Sequence, residues 1–177
     1  MLRLTSRLTL AAAMFACLAA GACSDDDDNP NSPTGNDVRL IAGLSPFNEV
    51  PAVSNADTSG SGLVTVTFHL TRNASGTITA ATADFNVSLT GFPTGTVLTG
   101  AHIHPGVAGT TGSVLVNTGI ASGEINLSSG AASFTRTGIT VTPANAQAII
   151  SNPAGFYFNA HTTLNPPGAA RGQLQLQ

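Results

Sequence analysis

The stretch Leu63-Val64-Thr65-Val66-Thr67-Phe68-His69-Leu70-Thr71-Arg72 decides the fold. Val64, Val66, Phe68 and Leu70 fall on one side of an extended chain, and Thr65, Thr67 and His69 on the other. That period of two, with β-branched and aromatic residues on the apolar side, is the pattern of a half-buried strand. Residues 73–76 read as a hairpin connection. Residues 77–89 then run back as a second strand, with Phe85, Val87 and Leu89 pointing inward at its end. Further short apolar runs follow the same logic: 38–44 before this hairpin, and 96–104, 113–118, 122–127, 131–138, 156–162 and 170–176 after it. Gly, Pro, Asn and Ser separate them. Residues 143–151 are the single helix expected, with Pro143 at its first turn and Ala144, Ala146 and Ala148 as helix formers. Eight to nine short strands with regular turns give an all-β fold, a β-sandwich or a closed Greek-key barrel.

Composition narrows the class of function. Of 177 residues only 8% are charged, and all six basic residues are arginines. They are scattered at 3, 7, 39, 72, 136 and 171, so no basic patch exists to neutralise phosphates, and no nucleic-acid partner is expected. Only four acidic residues, Glu49, Asp57, Asp84 and Glu124, lie well inside the folded part, too few to suggest a glycosidase pair. There is no Gly-x-Ser-x-Gly elbow and no Walker-type phosphate loop.

The first residues read as a targeting segment. Arg3 and Arg7 precede an apolar run, residues 8–20, that is too short to span a bilayer. Ala20-Gly21-Ala22-Cys23-Ser24 resembles a bacterial lipobox, which implies cleavage after residue 22 and acylation of Cys23. Residues 1–22 are therefore expected to be a lipoprotein signal peptide. Residues 23–37, with Asp25 to Asp28 and then Asn, Pro and Ser, read as a disordered acidic tether. Residues 38–177 are the folded domain. The expected location is the cell envelope, lipid-anchored to a membrane, and the outer membrane in a Gram-negative host. Cys17 would be lost with the signal, leaving no cysteine for a disulfide in the domain.

The candidate functional residues are three of the four histidines. His102 and His104 are two apart in Ala101-His102-Ile103-His104-Pro105-Gly106, which puts both on one face of a strand with Cα atoms about 6–7 Å apart. In Phe156-Tyr157-Phe158-Asn159-Ala160-His161-Thr162, alternation groups Tyr157, Asn159 and His161 on the more polar face. A three-histidine metal site built from two strands is geometrically permitted, and imidazole suits copper, zinc, iron or nickel. The competing reading is structural, each histidine satisfying a backbone carbonyl or a hydroxyl. Glu49, in Phe47-Asn48-Glu49-Val50-Pro51, is conspicuous in a chain so poor in charge. It reads as a fourth ligand, as a group orienting a histidine, or, the favoured reading, as the partner of Arg171 in an ion pair joining the first and last strands. His69, with Thr65 and Thr67, reads as a solvated strand position.

These segments together resemble the CHRD domain, the module named after chordin and found in many bacterial proteins. The resemblance runs from 44–51 (Leu-Ser-Pro-Phe-Asn-Glu-Val-Pro) through Gly60-Ser61-Gly62, Ala101-His102-Ile103-His104-Pro105-Gly106 and Gly109-Thr110-Thr111-Gly112. It continues in Tyr157-Phe158-Asn159-Ala160-His161-Thr162, Asn165-Pro166-Pro167-Gly168 and Arg171-Gly172-Gln173-Leu174. Ala52 and Ala170 depart from the usual pattern. The resemblance implies an Ig-like, Greek-key β-sandwich over residues 38–177. The His-x-His stretch and its glycine-rich loop are more weakly similar to the copper strand of copper–zinc superoxide dismutases, but the disulfide, the zinc ligands and a fourth copper ligand have no counterpart here. The expected function is a membrane-anchored, extracytoplasmic binding module for an unidentified ligand or protein, with copper or zinc held by His102, His104 and His161. The alternatives are a copper- or zinc-dependent metalloenzyme using the same histidines and a purely structural or adhesive surface module. Enzymatic activity is not expected to be its role.

Overall fold

The alternation of residues 63–72 is realised in β2 (Ser61–Arg72) of the computed structural model, which describes residues 36–177. Val64, Val66, Phe68 and Leu70 are buried, and the residues between them are partly exposed. The expected signal peptide, Cys23 and most of the expected tether lie outside the described residues. The first described strand, β1 (Asp37–Leu44), opens at Asp37, which pairs with His69.

β1, β2 and β3 (Ile78–Thr90) form an antiparallel meander, extended on one edge by β7 (Ala132–Val141) and on the other by β10 (Gln175–Leu176). The second sheet carries β4 (Thr96–Pro105), β8 (Phe156–Thr162), β9 (Ala170–Gln173) and the two-residue strands β5 (Val116–Asn117) and β6 (Asn126–Leu127). Both sheets are antiparallel, five strands each, and they pack as a sandwich. Leu40, Val66, Phe68, Phe85 and Val87 from the first sheet meet Leu98, Ile103, Phe158 and Leu174 from the second in one core. The rings of Phe85 and Phe158 touch across it with centroids 6.1 Å apart. The helix α1 (Pro143–Ser151) forms where expected, capped by the Thr142 hydroxyl, and buries Ala146 and Ile149. No helix among the described residues is long and apolar enough to cross a membrane.

Two departures from the expected strands position the site. The run 170–176 is not one strand. It breaks at Leu174, so that β9 pairs with β8 in one sheet while β10 pairs with β1 in the other. The last residues thereby join both layers. At the crossing, Gly172 lies against the Gly43 carbonyl of β1 so closely that a side chain has no room. The second departure is a register shift between Leu98 and Gly100 in the β4–β8 ladder. Leu98 is in the core, so unbroken alternation would also send Gly100, His102 and His104 inward. The extra residue reverses the parity. Ala101 and Ile103 enter the core instead, and both histidines turn to the outer face.

Candidate metal centre

On that outer face the strand register brings the histidines together. His104 is directly opposite Tyr157, His102 opposite Asn159, and Gly100 opposite His161. Gly100 matters here, because the missing side chain leaves space that the His102 ring occupies. The ring of His102 is 4.8 Å from that of His161 and 5.6 Å from that of His104, centroid to centroid. One nitrogen from each of the three lies within 4.8 Å of the others. Four-coordinate bonds of about 2.0–2.1 Å place donor atoms about 3.3 Å apart. His102 Nδ1 and His161 Nε2, at 3.0 Å, are already near that spacing.

Two loops fix the ring tautomers. His104 Nδ1 donates to the Gly112 carbonyl at 3.0 Å, and His161 Nδ1 donates to the Pro166 carbonyl at 2.8 Å. In each ring the proton is held on Nδ1, which leaves a lone pair on Nε2; that of His161 faces His102 Nδ1 at hydrogen-bond distance. The two sequence readings of these histidines are therefore compatible: each satisfies a carbonyl with one nitrogen and keeps the other. His104 Nε2 is buried and has no hydrogen-bond partner.

The site is electrically poised for neutral imidazoles. Burial, then the neighbouring charges of His161 and His104, pushes His102 down to about 4. Burial also lowers His104 and His161, partly offset by their carbonyl partners. Neutral imidazole is the ligating form.

Around the histidines the face is closed by polar groups that the sequence singled out. Tyr157 stacks on His104, nearly parallel at 5.0 Å, and the Arg171 guanidinium lies over the Tyr157 ring at 3.4 Å from its centroid. This row crosses three neighbouring strands. Arg171 is fully buried. The favoured ion pair between Arg171 and Glu49 is not formed: among the described residues no salt bridge joins them. Arg171 instead donates to the carbonyls of Thr110 and Val107 and to Gln173 Oε1, clamping the glycine-rich loop over the site. The planar guanidinium carries several donors, so one side chain serves both loop carbonyls and Gln173 at once. Glu49 accepts from Asn159 Nδ2 at 3.5 Å. Burial raises Glu49 to about 7, against the lowering effects of Asn159 and Arg171. Gly168 packs directly on the Glu49 carboxylate, where any side chain would collide.

Some contributors were not marked by the sequence pattern. Asp57 is buried and accepts from the Thr162 hydroxyl at 2.7 Å and from Asn165 Nδ2 at 2.6 Å. It pins the loop whose Pro166 carbonyl orients His161. The signals available were the buried-type spacing of Asn55-Ala56-Asp57 and the turn chemistry of Asn165-Pro166-Pro167-Gly168, but neither says which loop lies under which ring. His69, read as solvated, lies between two carboxylates, 3.0 Å from Asp37 and 3.1 Å from Asp84, and is remote in register from the other three. Burial alone would lower its pKa, but hydrogen bonds to Asp84 and Asp37 outweigh this and raise it.

The arrangement could hold a metal ion through His102, His104 and His161. Comparison with known proteins bears on the module around it. The family model for the CHRD domain matches residues 40–174. No curated protein and no solved structure matches the chain.

Proposed function

From the premise that the chain belongs to the CHRD domain family, we propose that it is a membrane-anchored, extracytoplasmic β-sandwich that binds copper or zinc through His102, His104 and His161. The observation that carries this reading is the proton placement: two imidazoles each donate one N–H to a loop carbonyl and keep the opposite lone pair. His102 Nδ1 lies 3.0 Å from one of those lone pairs. Carbonyl-oriented neutral imidazoles are what a divalent or monovalent soft-to-borderline metal selects. Elemental analysis of protein purified without chelators tests it. Wild type should carry about one equivalent of metal and the His102→Ala/His161→Ala double variant almost none. Equal metal content in the two would end the proposal.

The anchor is the second part of the reading. Arg3, Arg7, the apolar run and the lipobox-like Ala20-Gly21-Ala22-Cys23 support cleavage and acylation at Cys23, with a lipid holding the domain at the cell envelope. In a Gram-negative host the outer membrane is the membrane proposed. Cys23→Ala should move the protein from the membrane to the soluble fraction, and an unchanged distribution would refute lipidation at that residue.

A further inference from the structure

Two buried atoms on the site's face have no hydrogen-bond partner while the His104 ring is neutral. His104 Nε2 is a lone pair, because its Nδ1 proton is committed to the Gly112 carbonyl. Asn159 Oδ1 is also buried and unpartnered, while its Nδ2 is directed to Glu49. The Asn159 side chain lies beside the His104 ring, directly across the ladder from His102. Two neighbouring acceptors with no proton between them are costly in a buried setting. A cation satisfies the imidazole but not necessarily the amide. A cation with a bound water satisfies both, since the metal takes the lone pair and the water O–H donates to Asn159 Oδ1.

We propose that Asn159, oriented by Glu49, holds a water on the fourth position of the three-histidine centre, which makes that position exchangeable for a small anion. This rests on the metal reading above. Asn159 is here a positioning residue acting through the water, not a ligand. Its orientation is set from behind. Glu49 accepts from Nδ2, and the missing side chain of Gly168 leaves the space that its carboxylate occupies. The other charged or titratable groups around it are Arg171, Tyr157 and the three imidazoles. Among these, the row formed by His104, Tyr157 and Arg171 fills the neighbouring ladder positions with stacked planes. His102 is the least buried of the three histidines, so the exchange path for the anion runs on its side.

The test uses the folded protein loaded with cobalt(II), whose visible bands report coordination, titrated with azide. Wild type should bind one cobalt, and azide should change its spectrum by displacing the water. Asn159→Leu removes the acceptor that holds the water, so azide should bind about fivefold more tightly, the worth of one ordinary hydrogen bond. Asn159→Asp retains the acceptor and adds a negative charge, so azide should bind more weakly than to wild type. Glu49→Gln keeps an acceptor for Asn159 Nδ2 and should stay close to wild type. The inference is overturned if wild type binds cobalt but its spectrum ignores azide. It is equally overturned if both Asn159 variants bind cobalt and azide as wild type does. Loss of cobalt from both folded Asn159 variants would also overturn it, by making Asn159 a direct ligand. Wild type that takes up no cobalt would sink the metal reading itself, a result distinct from the other three.

Discussion

Arg171 is the most heavily invested single residue of the domain. Its guanidinium is buried, donates to three acceptors from the glycine-rich loop and from β9, and covers Tyr157. Arg171→Met fills similar space but leaves those acceptors unpaired at roughly 1–3 kcal/mol each, so urea denaturation should show a loss of about 3–5 kcal/mol. A loss below about 1 kcal/mol would mean that water reaches the loop carbonyls. The histidines and Glu49 make opposite contributions to the pH dependence of the metal-free protein. His102 has a folded pKa of about 4 against an ordinary 6.5. The unfolded chain takes up the proton first, so stability is intact above about pH 6.5 and is lost as pH falls toward 4. Glu49 is raised from 4.5 to about 7. Its contribution is present below pH 4.5 and is lost as pH rises through 7. Thermal melts of Glu49→Gln should therefore lack the loss between about pH 4.5 and 7 and retain the acid-side loss. Melts that parallel wild type across that window would contradict the assignment.

Among the elements, β4 decides whether a site exists. Its bulge between Leu98 and Gly100 is what turns His102 and His104 away from the core. Deleting Thr99 should remove the extra residue and give plain alternation, with Leu98, Ala101 and Ile103 inward and both imidazoles still outward. The expected result is a protein that keeps cooperative unfolding and metal uptake, as judged by calorimetry and metal analysis. A deletion variant that has lost both would show that the parity argument is wrong. The same element shows how far the sequence could be read. That His102 and His104 share a face, and that Tyr157, Asn159 and His161 share another, followed from period-two spacing alone. Which face was outward did not, because a one-residue bulge has no side-chain signature in Leu98-Thr99-Gly100. The long strands β2 and β3 were legible for the same reason that makes them stable, sustained alternation over seven or more residues; β8 alternates only in residue type and is buried on both faces. The runs 113–118 and 122–127 shrink to two paired residues each. The break at Leu174 was hidden because Ala170, Gly172 and Leu174 keep one inward parity while the chain changes sheets. The Glu49–Arg171 pairing failed on similar grounds. Scarcity of charge made the two look like partners, but each has neutral partners instead, Asn159 of β8 for Glu49 and the carbonyls of the glycine-rich loop for Arg171, whose placement is a tertiary fact.

For the whole molecule, the sandwich is a platform whose closed core lies on one side of the β4–β8–β9 surface and whose polar site lies on the other. Three loops, from residues 45–49, 106–112 and 163–168, cover that surface and supply carbonyls and carboxylates rather than ligands. The histidines come from strands, so rigid elements place the donor atoms while the loops set their protons. The central claim is that these three imidazoles hold one metal ion, and the most direct measurement is anomalous diffraction from crystals of protein purified without chelators, collected at the copper and zinc edges. The account predicts a single strong peak about 2.0–2.1 Å from His102 Nδ1, His104 Nε2 and His161 Nε2. A map with no peak there, or with the metal bound elsewhere on the domain, would contradict it.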